Sequence, residues 1–325
     1  MSMKILFFGD GQWAAGSLRR LIARRWNIGA VVLRRQPSGE ALGEVARQFG
    51  LPVLQPGHVN SPEFLEIVRS FGPDLNVSVS YDQIVRRPLL DAAPRGFVNF
   101  HAGKLPFYRG KNVINWALIN GETEIGMTGH YMDEGIDTGD IVLQRTLPIE
   151  WTDTYGDVLD RVVDAFPDLV ETTLTMIAEE SVQRRPQAHL PGTYFAARRE
   201  GDEWLDWSDT SRNLHNKVRA ITRPGPGART MLGGTPFLIW RAYWDPSWPG
   251  YLATPGEVVG RSADGAFVKT GDSTLLVLEA AAPGRPAAAP PWPPGTRLAS
   301  GSDLTAALSK RVRVLEEELL SRKAP

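Results

Sequence analysis

Residues 4–12 read KILFFGDGQ, an apolar run to Phe8 closed by Gly9-Asp10-Gly11-Gln12. A short apolar run ending in a Gly-rich turn predicts a strand buried on both faces. Leu18, Leu21 and Ile22 follow at helical spacing among Arg19, Arg20, Arg24 and Arg25, so the turn leads into an amphipathic helix. The alternation then repeats. Apolar runs at 30–33, 52–54, 75–80 and 97–100 predict strands, and 41–49 and 61–71 predict helices. Strands and helices alternating at this pace make βαβ units, hence an α/β parallel sheet covered on both faces.

Further on, 127–132 and 141–143 read as two strands flanking an acidic loop. Asp153-Thr154 caps a helix expected to run to 178, interrupted at Pro167. A polar stretch occupies 183–200, and 213–220 reads as a helix that stops before Pro224-Gly225-Pro226-Gly227. Short strands at 237–240, 256–259, 266–269 and 274–278 predict a small barrel. The six prolines of 283–295 predict an extended linker. A tail helix is expected over 303–323, with Leu315, Leu319 and Leu320 on one face. That face suits either a homodimer or packing on its own domain.

The composition narrows the chemistry. A chain of 325 residues exceeds one small domain, at roughly 100–200 residues each. No cysteine means no disulfide, no thiolate nucleophile and no Cys-ligated metal. Five histidines could still build a metal site, but none pair at helical ligand spacing. No apolar stretch approaches the ~18 residues of a membrane span. The start, MSMKILFFGD, runs straight into a strand without a signal-peptide layout, so a cytoplasmic location is expected. Thirty-six Lys+Arg against 37 Asp+Glu argue against a nucleic-acid partner, which needs a basic footprint.

Two stretches carry chemistry. In 98–110, VNFHAGKLPFYRG, Asn99 and His101 are two apart at a strand end, so their side chains share a side. Sites in parallel α/β sheets form beyond the carboxyl ends of strands. An amide beside an imidazole there can bind a developing oxyanion and relay a proton. A turn hydrogen bond is the plainer reading of such a histidine taken alone. The second stretch is 132–140, MDEGIDTGD, a Gly-punctuated acidic loop. One of its carboxylates suffices to hold His101 as an imidazolium. A solvated turn is again the plainer alternative.

Taken together, the stretches resemble the folate-dependent formyltransferase family. The resemblance rests on Asn99, His101, Leu105-Pro106, Arg109-Gly110, Trp116 and the run Gly135-Ile136-Asp137-Thr138-Gly139-Asp140. It continues in Trp204-Leu205-Asp206-Trp207, Leu214-His215-Asn216, Val218-Arg219-Ala220 and Pro226-Gly227-Ala228. The resemblance implies a Rossmann-like formyltransferase domain over 1–200 and an OB-like β-barrel domain over 201–282. Residues 283–325 are left as the linker and C-terminal helix. It also implies N10-formyltetrahydrofolate as formyl donor, with no metal. Asn99, His101 and Asp137 take the family's catalytic positions. Asn99 and protonated His101 are then expected to stabilise an alkoxide, and Asp137 to hold His101 and help move the amine's proton. The folate is expected between the 80–90 and 132–137 loops, with Gln83, Ile84, Val85, Leu89, Asp133, Glu134 and Gly135 as its contacts.

The acceptor is where the chain departs from the family's tRNA-modifying members. Those carry a basic insertion after the second strand, whereas here only Arg34-Arg35-Gln36-Pro37-Ser38-Gly39-Glu40 precede the next helix. Two arginines place few phosphate contacts. The residues after His101 are Ala102-Gly103-Lys104-Leu105 rather than Ala-Ser-Leu-Leu. The expected acceptor is therefore a small-molecule amine, a dTDP- or UDP-linked amino sugar (a sugar nucleotide). Trp13, Tyr81, Lys104, Arg109, Lys111 and Asn112 are its candidate contacts. Methionyl-tRNA, a hydroxylated ornithine, and water (a formyl-folate hydrolase) are the alternatives.

Overall fold

The computed structural model describes residues 3–191, 194–299, 305, 309 and 312–316. The chain divides into two compact units. One comprises Met1–Ile114, Thr123–Ile149 and Asp157–Ala197, and the other Asn115–Glu122, Glu150–Gly156 and Arg198–Pro325.

The chain opens with β1 (Lys4–Gly9), α1 (Gly11–Ala23), β2 (Asn27–Leu33), α2 (Ala41–Gln48), β3 (Val53–Leu54) and α3 (Pro62–Phe71). It continues with β4 (Leu75–Val79), α4 (Arg87–Leu90), β5 (Phe97–His101), β6 (Arg109–Gly110) and α5 (Val113–Ile119). Then come β7 (Glu124–Tyr131), β8 (Ile141–Pro148), α6 (Tyr155–Ala178) and β9 (Tyr194–Phe195). Seven strands form one sheet in the order β3-β2-β1-β4-β5-β7-β8. The first five are parallel, as the alternation predicts. β7 pairs antiparallel with β5 and with β8, and the short 132–140 connection makes β7 and β8 a hairpin, not a crossover.

β1 lies inside the sheet, with Ile5, Leu6, Phe7 and Phe8 all 0% exposed, which is why its sequence is apolar without alternation. The strand order reverses between β1 and β4, and ligands bind beyond the carboxyl ends at such a point. α3 shows how local sequence sets an element. Ser61 Oγ accepts from Phe64 N at 3.2 Å, Pro62 occupies the first turn, and Gly72 at φ +57° closes the helix. α6 corrects the expected interruption, since it runs unbroken through Pro167. Eight of its side chains, from Val158 to Ile177, are buried. At roughly 1.5–3 kcal/mol per large apolar side chain, that stripe outweighs the ~3 kcal/mol of an interior proline.

The second unit holds α7 (Ser211–Ile221), β10 (Ala228–Leu232), β11 (Thr235–Tyr243), β12 (Val258–Arg261), β13 (Ala266–Lys269), β14 (Thr274–Ala281) and β15 (Leu298–Ala299). Thr210 caps α7 by accepting from Asn213 N. The strands form a curled antiparallel sheet, β12-β13-β14-β11-β10-β15. Val258 N donates to Thr296 O and Leu298 N to Gly256 O, each at 2.8 Å, so the last segment also reaches the first strand. Residues 283–295 are thus not a free linker. Ala280 and Ala288 exchange backbone hydrogen bonds at 2.8 and 3.0 Å, and Trp292 is 3% exposed. The prolines lack N–H donors, but Ala288 supplies one between them and Trp292 supplies core. Of the tail helix expected over 303–323, residues 305, 309 and 312–316 are described and helical; the rest lies outside the described residues. Among the described residues no helix is long and apolar enough to cross a membrane.

Candidate active site

β5 carries Asn99 and His101 on one side, while Val98 and Phe100 face the other. Neighbours β4 and β7 hold the strand on both edges. His101 is buried, and its Nε2 lies 2.6 Å from Tyr108 O. A carbonyl only accepts, so Nε2 carries the hydrogen and Nδ1 is the nitrogen that faces Asp137. Gly103 permits this approach. A Cβ there would lie 2.7 Å from His101 Cδ2 and closer still to Nε2 and Tyr108 O.

Asp137 comes from the loop between β7 and β8 and holds φ +53°. Left-handed backbone is unfavourable for a non-glycine residue, so surrounding bonds must hold it. Gly110 N donates to Asp137 Oδ2 at 2.9 Å. Arg109 Nε and Gln187 Nε2 both donate to Asp137 O, each at 3.1 Å. Gln187 Nε2 also donates to Gly139 O at 2.6 Å. Within the loop, the Asp133 carboxylate accepts from Gly135 N and from the Thr138 hydroxyl.

These supports place the Asp137 carboxylate among three side chains. His101 Nδ1 is 3.7 Å from Oδ2. Asn99 Nδ2 is 3.3 Å from Oδ1, and His130 Nε2 is 3.5 Å from the same oxygen. His130 Nε2 is also 3.2 Å from Asn99 Nδ2, and its Nδ1 donates to Tyr131 O at 2.8 Å. Burial pushes the Asp137 carboxyl up. The charge of His101, the hydrogen bond and charge of His130 and the Gly110 amide outweigh it and hold the group well below the usual carboxylate range.

The remaining expected residues are scattered. Val85 and Leu89 lie in the hydrophobic core, in one cluster with Phe8 and Phe97, against which Tyr81 and Met132 pack. Tyr81 meets Phe8 edge-on at 5.5 Å, and burial pushes its phenol up. Gln83 accepts from Val59 N at 2.8 Å, and the exposed Ile84 offers its carbonyl to Asn60. Asp133, Glu134 and Gly135 are exposed. A cavity of about 580 Å³ joins Arg87 and Leu90 to Met132, Asp133, Glu134 and Gly135, but Asn99, His101 and Asp137 do not line it. Trp13 leans on Phe166 at 5.2 Å. Lys104 pairs with Glu124. Lys111 and Asn112 are exposed, with Lys111 N donating to Phe195 O.

Arg109 requires correction. It is 1% exposed, so it is not a surface cation awaiting a pyrophosphate. Besides Asp137 O it donates to Gln187 Oε1 at 2.8 Å and Ala188 O at 3.2 Å, and it lies 5.4 Å from the Tyr194 ring centre. Reading the sequence missed two residues here. His130 is 2% exposed and faces Asn99 across the β5–β7 ladder. Its signal was a histidine at the end of a strand that runs straight into the acidic loop. Gln187 left no signal, being one glutamine in a polar stretch. Among the described residues no cluster of three or more His, Cys, Asp or Glu is placed to hold a metal.

Comparison with known proteins places the chain in a family. Residues 3–174 match the formyl transferase family model, and 198–292 match the model of the formyl transferase C-terminal domain. A methionyl-tRNA formyltransferase of Ruminiclostridium cellulolyticum is 33% identical over 285 residues, 85% of this chain and 91% of the relative. One from Syntrophus aciditrophicus is 36% identical over 286 residues, 85% and 90% of the two chains. Among solved structures, the sugar 3N-formyltransferase WlaRD, crystallised with dTDP and 5-N-formyl-THF, superposes with a TM-score of 0.68. It is 20% identical, covering 88% of this chain and 100% of its own. An N-formyltransferase from Helicobacter canadensis, in complex with folinic acid and dTDP-3-aminofucose, gives 0.67 at 19% identity, covering 85% and 99%. With both family models matched in order and relatives of this identity along most of its length, the chain belongs to the formyl transferase family and is an N-formyltransferase.

Proposed function

We propose that the chain transfers a formyl group from N10-formyltetrahydrofolate to the amine of a small nucleotide-linked sugar, with catalysis in residues 1–200. The convergence of Asn99, His101 and Asp137 supports the transfer chemistry. The folate is assigned to the 80–90 and 132–137 loops, which Tyr81, Val85, Leu89 and Met132 anchor to the core around Phe8 and Phe97. The backbones of Gln83, Ile84 and Val85, and of Asp133, Glu134 and Gly135, would meet its amide-like edges. When bound, it supplies the formyl carbon for the acceptor's uncharged amine.

The chain's own groups do the rest. Asn99 Nδ2–H and the Nδ1–H of a protonated His101 donate to the charge that develops on the formyl oxygen. Both contacts to Asp137 are long, 3.3 and 3.7 Å, so neither donor is committed to the carboxylate. Asp137 faces His101 Nδ1 and takes the amine's proton, directly or through water. The proton then goes to the leaving folate nitrogen as the carbon–nitrogen bond breaks.

The acceptor reading rests on the β2–α2 connection. Only residues 34–40 span it, and Arg34 is already engaged. Its guanidinium pairs with Asp10 at 3.2 Å and donates to Ser80 O at 2.8 Å and Ser80 Oγ at 3.0 Å. Arg35 alone is left for phosphates, which suits a small carrier better than an RNA helix. The relatives that are methionyl-tRNA formyltransferases favour the second reading, charged initiator tRNA as acceptor. The test presents the purified chain and formyl-folate with dTDP- and UDP-amino sugars, methionyl-tRNA, a hydroxylated ornithine, or no acceptor. Mass spectrometry follows the formylated product. Formyl sugar nucleotide is the expected result. Transfer only to tRNA or to the ornithine overturns the acceptor, and formate release without any amine makes the chain a hydrolase.

A further inference from the structure

We propose that Gln187 is a positioning residue, a latch that holds Asp137 at its working place. The inference rests on the catalytic reading of Asp137 above. Gln187 lies fifty residues beyond Asp137 and is 8% exposed, in the segment that follows α6. Its one amide group does three things. Nε2 donates to Asp137 O at 3.1 Å and to Gly139 O at 2.6 Å, spanning the turn that contains the carboxylate. Oε1 accepts from the buried Arg109 at 2.8 Å, and Arg109 donates in turn to Asp137 O.

The latch is anchored at both ends. Arg109 and Gly110 form β6, which pairs in parallel with Tyr194 and Phe195 of β9, a few residues beyond Gln187. Tyr108 and Phe195 stack at 4.9 Å with planes 4° apart. The segment carrying Tyr108 O, which orients His101, and Gly110 N, which binds the Asp137 carboxylate, is therefore tied to the segment carrying Gln187. An amide is needed at 187. Its nitrogen faces two carbonyls and its oxygen faces a guanidinium, so both ends are matched only by a group with donors and an acceptor. Asp137 holds φ +53°, and the latch adds a distant support to the loop's own bonds to Asp133.

Gln187→Glu isolates the donors. The variant keeps an acceptor for Arg109 but turns a carboxylate oxygen toward two carbonyls. Assayed with whichever acceptor the wild-type chain formylates, kcat should fall at least 10-fold while KM for formyl-folate stays within about twofold. The acid limb of the kcat–pH profile should move up, because Asp137 drifts from the groups that hold its carboxyl down. Gln187→Met provides the second variant, with the same direction expected. Hydrogen exchange at Gly110 N–H, which donates to Asp137, should quicken in both variants relative to wild type at equal global stability. Wild-type kcat, pH profile and Gly110 exchange in Gln187→Glu would overturn the proposal. Asn99→Ala and His101→Ala separate the two levels. If they keep full turnover, the catalytic reading fails; if they lose it while Gln187→Glu does not, only the latch fails.

Discussion

Gly139→Ala puts a methyl group where the structure leaves no room. A Cβ at 139 would lie 2.9 Å from the carbonyl carbon of Tyr131 and closer still to its oxygen. Carbon atoms pack at about 3.5–4.0 Å, so the loop must retreat by roughly 1 Å. Tyr131 O cannot yield freely, since it accepts from His130 Nδ1, and Tyr131 N donates to Asp140 O at 2.9 Å. The retreat therefore falls on the loop, and Asp137 is two residues from the clash. Overpacking of this kind costs about 1–3 kcal/mol of stability. A misplacement near 1 Å at a catalytic group costs about 100-fold in rate, or about 2.7 kcal/mol of transition-state stabilisation. Steady-state formyl transfer at saturating substrates, alongside urea unfolding, measures both. Gly57→Ala is the control, because nothing lies within 4 Å of its Cβ. A kcat within threefold of wild type in folded Gly139→Ala would refute the claim that this loop's packing sets the site.

Other perturbations probe other links. Asn99→Ala and His101→Ala should each lower turnover by about 100-fold or more through lost oxyanion donors, and normal turnover in either would dismiss the site. The depressed Asp137 carboxyl adds stability that is complete above its unfolded value near pH 4 and fades as pH falls through the lower folded value. Asp137→Asn should therefore flatten the fall in urea midpoint between pH 5 and pH 2, and parallel acid slopes in the two proteins would contradict this. Arg34→Met strips Ser80 of two hydrogen bonds and leaves the Asp10 carboxylate, 3% exposed, without its cation. Breaking a buried pair costs up to about 3–5 kcal/mol, less here because Arg34 is 22% exposed. Ser80 opens the 80–90 loop, so KM for formyl-folate should rise several-fold; an unchanged KM would detach that loop from the folate.

Much of the fold was legible because burial leaves a periodic trace. β1 reads as an unbroken apolar run since it lies inside a sheet covered on both faces, and α3 announces itself through Ser61, Pro62 and Gly72. Elements without such a trace were lost. β6 and β9 are two residues each, and they pair across more than eighty residues of chain. Trp292 carries the core contact of a stretch whose prolines pointed to a linker. Pro167 reads as a helix breaker, yet the buried stripe of α6 carries the helix past it.

The candidate site divides in the same way. Asn99, His101 and the acidic 132–140 loop are visible in the sequence by residue type and spacing, and the family resemblance singles out Asp137 within that loop. The tertiary structure alone decided what holds them. It set His130 opposite Asn99 across the sheet, brought Gln187 to the carbonyls of the Asp137 loop, and took Arg109 from the surface into the interior. Those are hydrogen bonds between segments far apart in the chain. Their partners are chosen by how the sheet and loops close in space, and no local periodicity records that choice.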